Sequence, residues 1–269
     1  MKRLLSIFMV LAFMALVMSC GGGEKKAEKP SEKMTEEAEA MAETGGYQAI
    51  EVANAGTIQG TVTFAGAIPP KQKVEITKDV NACGKVPHYK EDLVVSSNKG
   101  IANVVVRITN INKGKSIETL GSNFVLDQNG CTFKPHVVIV PAGAELSILN
   151  SDGILHNVHT FSEINSAINI AQPKFKKKIT QSFEEPEFIR VACDVHNWMG
   201  GYIVVVDHPY YSVTDENGNF GLTDVPAGNY TLEYWQETLG ARTAEVTVTE
   251  GGVVEANFEF TAGTASASL

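Results

Sequence analysis

Along most of this chain, short stretches alternate apolar and polar positions. Residues 57–64 set Ile58, Val62 and Phe64 against Gln59, Thr61 and Thr63, the period of a strand with one buried face. Residues 101–108 carry the run Val104-Val105-Val106, and 137–140 and 145–149 are two further runs divided by Pro141 and Gly143. Runs at 188–192 and 202–206 follow, then 211–214, 220–222, 230–235, 244–248 and 253–260. Asn217-Gly218, Pro226-Ala227-Gly228 and Gly251-Gly252 punctuate the later runs as turns. Beyond the N-terminal segments no stretch has the period of a long amphipathic helix. The pattern predicts an all-β body of sandwich type.

The N-terminus is different. Lys2 and Arg3 precede an almost unbroken apolar stretch, 4–18, which ends in Val17-Met18-Ser19-Cys20-Gly21. That stretch suits a secretory signal and is short for a membrane span. A small residue and then Cys, directly after the apolar stretch, resembles a bacterial lipoprotein signal. The resemblance implies that residues 1–20 are a signal peptide and that Cys20 is the lipidated N-terminus of an exported, membrane-anchored protein on the periplasmic side. Residues 21–55 read as a flexible charged tether: Gly21-Gly22-Gly23, then alternating Glu and Lys with Ala and Met and no apolar face.

Composition narrows the function. The 269 residues carry a net charge of −9, with 43% hydrophobic and 20% charged residues, which excludes wholesale disorder. Without the signal, Lys+Arg falls from 22 to 20 while Asp+Glu stays at 31, giving −11. So acidic a chain does not have nucleic acid as its main partner, because phosphate binding needs excess Lys and Arg. There is no nucleophile-elbow serine, no phosphate-cradling glycine loop and no recognisable carboxylate pair. A non-enzymatic role is expected.

The chemistry concentrates between residues 145 and 206. One predicted strand leads into Cys193-Asp194-Val195-His196-Asn197-Trp198-Met199 and another leads out. Upstream, a strand runs into Asn150-Ser151-Asp152 and then His156-Asn157. Two imidazoles, a thiolate and a thioether are the ligand set of a mononuclear blue-copper site. Soft sulfur beside borderline nitrogen serves both Cu(I) and Cu(II). Zinc competes for Cys and His, but it seldom takes a thioether.

This ordered set resembles the cupredoxins, and the two three-residue steps, Cys193 to His196 and His196 to Met199, look most like amicyanin. The resemblance covers roughly residues 101–207. It implies one type 1 copper ion held by His156, Cys193, His196 and Met199, with Asn157 fixing the Cys loop. Trp198 inside the loop, the extra His159 and the insertion 164–183 depart from small cupredoxins. His159, three residues along a strand from His156, is expected in a supporting or surface role, as is Trp198 beside the ligands. His136, His88 and His208 are expected to be structural, and Asp194 a solvated loop residue. With Cys20 lipidated and Cys193 a ligand, Cys83 and Cys131 are the expected disulfide. Lys174, Lys176, Lys177 and Lys178 form a basic cluster suited either to a solvated loop or to docking an acidic redox partner.

The C-terminal part, with 213–220 and 225–232, resembles carboxypeptidase-regulatory-like (transthyretin-like) β-sandwich modules, and 57–66 resembles the first strand of the same module. The expected organisation is a cupredoxin-like Greek-key domain at 56–207 and a small sandwich at 208–269. Two consecutive domains, or a sandwich split by the copper domain, both fit. The expected function is an exported, membrane-anchored copper protein that passes single electrons between redox partners. The alternatives are copper handling, as carrier or sensor, and a surface-binding module without metal.

Overall fold

The computed structural model describes residues 46–261. The expected signal peptide, Cys20 and most of the tether lie outside the described residues. Among the described residues no helix is long and apolar enough to cross a membrane. The described residues are almost wholly β, with one four-residue helix, Val80–Cys83, and one 3-10 turn, Ile117–Leu120, among them.

Four sheets stack face to face. The first runs in the order Lys178–Gln181, Leu146–Asn150, Phe124–Gln128, Phe133–Lys134. The second runs Asn169–Gln172, His156–Phe161, Glu187–Ala192, Gly200–Val206, Val137–Pro141. Leu126, Ile148, Val158, Ile189, Val191, Ile203 and Val205 fill the core between these two. The third sheet runs Tyr211–Val213, Val105–Ile108, Gly228–Gln236, Gly240–Val248. The fourth has Asn219–Val225 and Val253–Glu255 on either side of Gly56–Phe64, which also pairs with Phe258–Phe260. Ile58, Val62, Val106, Ile108, Leu232 and Tyr234 build the second core.

A third apolar layer joins the two sandwiches. Successive strand residues point to opposite faces, so Ile203 and Val205 enter the first core while Val204 and Val206 face the third sheet. There they meet Val105, Tyr211 and Trp235. The unbroken run Val204-Val205-Val206 is what a strand buried on both faces requires. Arg107 crosses this layer: it donates to Glu233 at 2.7 Å and to the Tyr211 hydroxyl at 3.1 Å, and its guanidinium lies 5.2 Å from the Phe188 ring centre. At Gly201 a Cβ would stand 2.6 Å from the His136 carbonyl oxygen, so only glycine lets Gly200–Val206 approach Val137–Pro141 there.

Gly56–Phe64 and Val105–Ile108, both within the stretch 56–207, pair with C-terminal strands; alternation specifies a buried face and not the sheet it joins. The tether expected to reach residue 55 ends earlier: Gln48–Ala49 pairs with Lys113–Gly114, and the Tyr47 hydroxyl donates to the Lys115 carbonyl at 2.7 Å. The insertion 164–183 supplies an edge strand to each of the first two sheets.

Candidate metal centre

The site forms where three strands of the second sheet end together. His156 opens the strand His156–Phe161, and residues 193–199 form the loop between Glu187–Ala192 and Gly200–Val206. The Cys193 amide donates to the Met199 carbonyl (3.2 Å) and the Met199 amide to the His196 carbonyl (2.9 Å). These bonds make the loop a tight, self-supported turn. Asn157 clamps it from the neighbouring strand, its side-chain oxygen accepting from the amides of Asp194 (2.7 Å) and Val195 (3.3 Å).

Three donors converge. Cys193 Sγ lies 3.9 Å from Nδ1 of His156 and 3.9 Å from Nδ1 of His196, and the two Nδ1 atoms are 2.9 Å apart. Both imidazoles are fully buried and the thiol nearly so. Met199 is buried with Cys193 in the same apolar core. Cys193 is the one free cysteine among the described residues, since Cys83 and Cys131 form a disulfide with an S–S distance of 2.07 Å.

Each ring is held from behind by a carboxylate. His156 Nε2 donates to Asp152 Oδ2 (2.9 Å), and His196 Nε2 donates to Asp79 Oδ2 (2.9 Å). Asp152 is itself fixed by the amides of Gly130 (2.6 Å) and Cys131 (2.8 Å). With Nε2 committed on both rings, both Nδ1 atoms turn toward each other and toward the sulfur. His156, Cys193 and His196 form a group that could hold a metal ion, with donor atoms within 4.8 Å of one another. Two nitrogens and one thiolate in a dry pocket suit a soft or borderline metal.

The electrostatics agree with this arrangement. Burial opposes charge on His156, but its hydrogen bonds to Asp152 and Cys193 outweigh that and push its pKa up to about 9. Burial would raise the Cys193 thiol, yet its bond to His156 and the backbone amides of Asn157, His196 and Val195 bring it below the ordinary thiol range. His196 is held low by burial and by the neighbouring His156, despite Asp79. The raised pKa favours an extra proton on His156, whose Nδ1 is 2.9 Å from that of His196, and a metal would replace that proton. Because the folded pKa exceeds the unfolded value near 6.5, this charge stabilises the metal-free fold fully below that value. The contribution fades as pH rises through about 9. Cys193, whose thiolate the fold favours, gains stability as pH rises and opposes this loss. The fall in melting temperature of metal-free protein with pH is therefore expected to show clearly only in Cys193→Ser, and adding His156→Gln should flatten it.

The remaining sequence-predicted residues lie around the centre. The Trp198 ring sits 5.1 Å from that of His196, and its Nε1 donates to the Cys131 carbonyl at 3.1 Å. His159 is partly exposed, stacks on Phe161 (4.3 Å) and meets Asp194 at 3.0 Å. Asp194 is not the merely solvated residue expected: it also accepts from Asn157 (3.0 Å) and Asn169 (2.8 Å), anchoring the loop. His136 pairs with Glu237 and His88 with the Cys83 carbonyl. Lys174, Lys176, Lys177 and Lys178 are exposed around Phe175, which is 80% exposed, and Lys178 pairs with Glu145 at 3.6 Å.

Sequence reasoning missed the roles of Asp152 and Asp79. Asp152 stands four residues before His156 in a quoted motif, which is a usable signal. Asp79 is 117 residues from His196 and has none.

No family model matches the chain, and no curated protein sequence does. Among solved structures it is similar to the purple cupredoxin from Nitrosopumilus maritimus: 18% identity over 31% of this chain and 100% of that one, TM-score 0.27. It is similar to the copper-containing nitrite reductase (NirK) from Thermus scotoductus SA-01, at 20% identity, 31% coverage and TM-score 0.27. The chain spans only 22% of that reductase. An oxidised amicyanin variant shares 21% identity over 34% of this chain and 89% of its own, TM-score 0.28. These likenesses are confined to about a third of the chain, and the functional reading below rests on the site itself.

Proposed function

We propose that His156, Cys193 and His196 hold one copper ion, with Met199 as a weak axial partner, and that the exported protein carries single electrons between redox partners. The observation that supports this is the convergence of Sγ and two Nδ1 atoms in a buried pocket whose rings are both pinned through Nε2. Copper, when bound, supplies a one-electron couple. The chain supplies everything that keeps that couple fast and contained. The loop hydrogen bonds and the Asn157 clamp hold the donors in one geometry, so little must reorganise between oxidation states. Burial keeps water from the ligands. The amides aimed at Cys193 tune the sulfur's electron density and with it the potential. Lys174, Lys176 and Lys177, around exposed Phe175, are the surface offered to an acidic redox partner. A lipid on Cys20 would keep the protein at the membrane.

The test is a redox cycle followed by a release assay. Copper-loaded protein is reduced by ascorbate and reoxidised by ferricyanide in the presence of a Cu(I) chelator too weak to strip the Cu(II) form. An electron carrier retains its copper through many cycles. Loss of copper to the chelator at the first reduction would instead identify a copper carrier or sensor.

A further inference from the structure

The segment between Gly56–Phe64 and Val105–Ile108 leaves its own sandwich and reaches the metal-bearing one. Within it Lys73–Val74 pairs with His88–Tyr89 to form the base of an excursion. At its tip is the helix Val80–Cys83, whose first turn hangs from the Asp79 carbonyl through the amides of Ala82 (2.8 Å) and Cys83 (2.9 Å). His88 Nε2 bonds the Cys83 carbonyl at 2.8 Å and closes the excursion on itself. Ile76 and Cys83 pack into the core of the metal-bearing sandwich.

Two attachments tie this tip to the metal centre. Asp79 holds His196 Nε2, and its side chain is 39% exposed while the His196 ring is 0% exposed. The carboxylate therefore reaches the ring from the solvent side. Cys83 is bonded to Cys131, 48 residues away. Cys131 is no neutral anchor: its amide supports Asp152, which holds His156, and its carbonyl takes the Trp198 indole proton beside His196. One covalent bond thus links the supports of both histidines.

We propose that residues 73–89 are a cover over the metal centre, fastened by the Cys83–Cys131 disulfide, in which Asp79 is the positioning residue for His196. This rests on the copper reading for its purpose but not for its geometry. The cover keeps the His196 ring oriented and dry, and it sets how fast a metal enters or leaves. Reducing the disulfide with a dithiol, by thiol–disulfide exchange, frees both cysteines and unfastens it.

Asp79 has φ 48°, in the left-handed region, which Asn and Gly tolerate best. Asp79→Gly removes the acceptor without backbone strain, and Asp79→Asn keeps an oxygen that can take the His196 proton. The first readout needs no metal: carbethoxylation of His196 by diethyl pyrocarbonate in the full chain, read by peptide mass spectrometry, with partly exposed His159 as internal reference. His196 in the wild type should react far more slowly than His159. Cys83→Ser/Cys131→Ser and Asp79→Gly should raise its rate about tenfold or more, as reactions gated by local opening do, while Asp79→Asn stays near wild type. The second readout is copper release to excess chelator, expected to quicken roughly tenfold in the same two variants, the lower end for loss of an outer-shell partner. Equal His196 reactivity in all four proteins overturns the cover. If the wild type binds no copper, the copper reading fails and the carbethoxylation result still decides the cover. If the double variant melts without a cooperative transition, Asp79→Gly decides alone.

Discussion

Cys193→Ser should abolish the intense thiolate-to-copper absorption and weaken copper binding by more than about 100-fold, beyond the roughly 10–100-fold that loss of an outer-shell partner brings. The sulfur is the only soft anionic donor in the pocket, 3.9 Å from each Nδ1. Its pKa is depressed, so a thiolate is readily available. A serine hydroxyl there stays protonated at neutral pH and offers a poor, neutral oxygen. The swap keeps the shape of the side chain, so circular dichroism of the metal-free protein should change little. Optical titration with Cu(II) against the wild type checks both parts. A variant that keeps its colour and affinity would show that copper binds elsewhere.

Asp152→Ala is the second large effect. Its carboxylate accepts from His156 Nε2 and from the amides of Gly130 and Cys131. Removing it frees the His156 ring to rotate and leaves two amides without their partner. Copper affinity should fall about 10–100-fold, and the fold should lose about 1–3 kcal/mol for each amide left buried and unsatisfied. Asp152→Asn separates the two consequences. It keeps one oxygen for the His156 ring and the Cys131 amide but turns the oxygen that accepts from Gly130 into an NH2 donor, so most of the copper affinity should return while part of the stability stays lost. Isothermal titration with Cu(II), beside chemical denaturation of metal-free protein, measures both. An Asp152→Ala variant with wild-type affinity would show that His156 needs no support from behind.

The strands and the donor set were legible in the sequence for physical reasons. Alternation such as Ile58, Val62 and Phe64 against Thr61 and Thr63 reports a half-buried strand wherever its sheet lies. The spacing of Cys193, His196 and Met199 is read from one loop, so local sequence contains it. What escaped was long-range partnership. Val105–Ile108 sits closer in sequence to the metal-bearing strands than to its partner Gly228–Gln236, and nothing local assigns it. Nor does the run Val204-Val205-Val206 say that Val105, Tyr211 and Trp235 cover one of its faces. Asp79 escaped for the same reason. A single hydrogen bond to a ring from a segment 117 residues away follows no spacing rule, and only the folded excursion brings it there. Asp194 lies in the loop beside Cys193, and nothing in the local sequence shows that its carboxylate ties Asn157, Asn169 and His159 into one loop anchor.

Whether a thiolate-bound copper sits where Cys193, His156 and His196 converge is decided by titrating metal-free protein with Cu(II) while recording visible absorption and electron paramagnetic resonance. The expected result is an intense thiolate-to-copper band that grows to one equivalent and stops, with the narrow copper hyperfine splitting of a type 1 site. A colourless protein, or the wide splitting of copper held by nitrogen and oxygen alone, would contradict it.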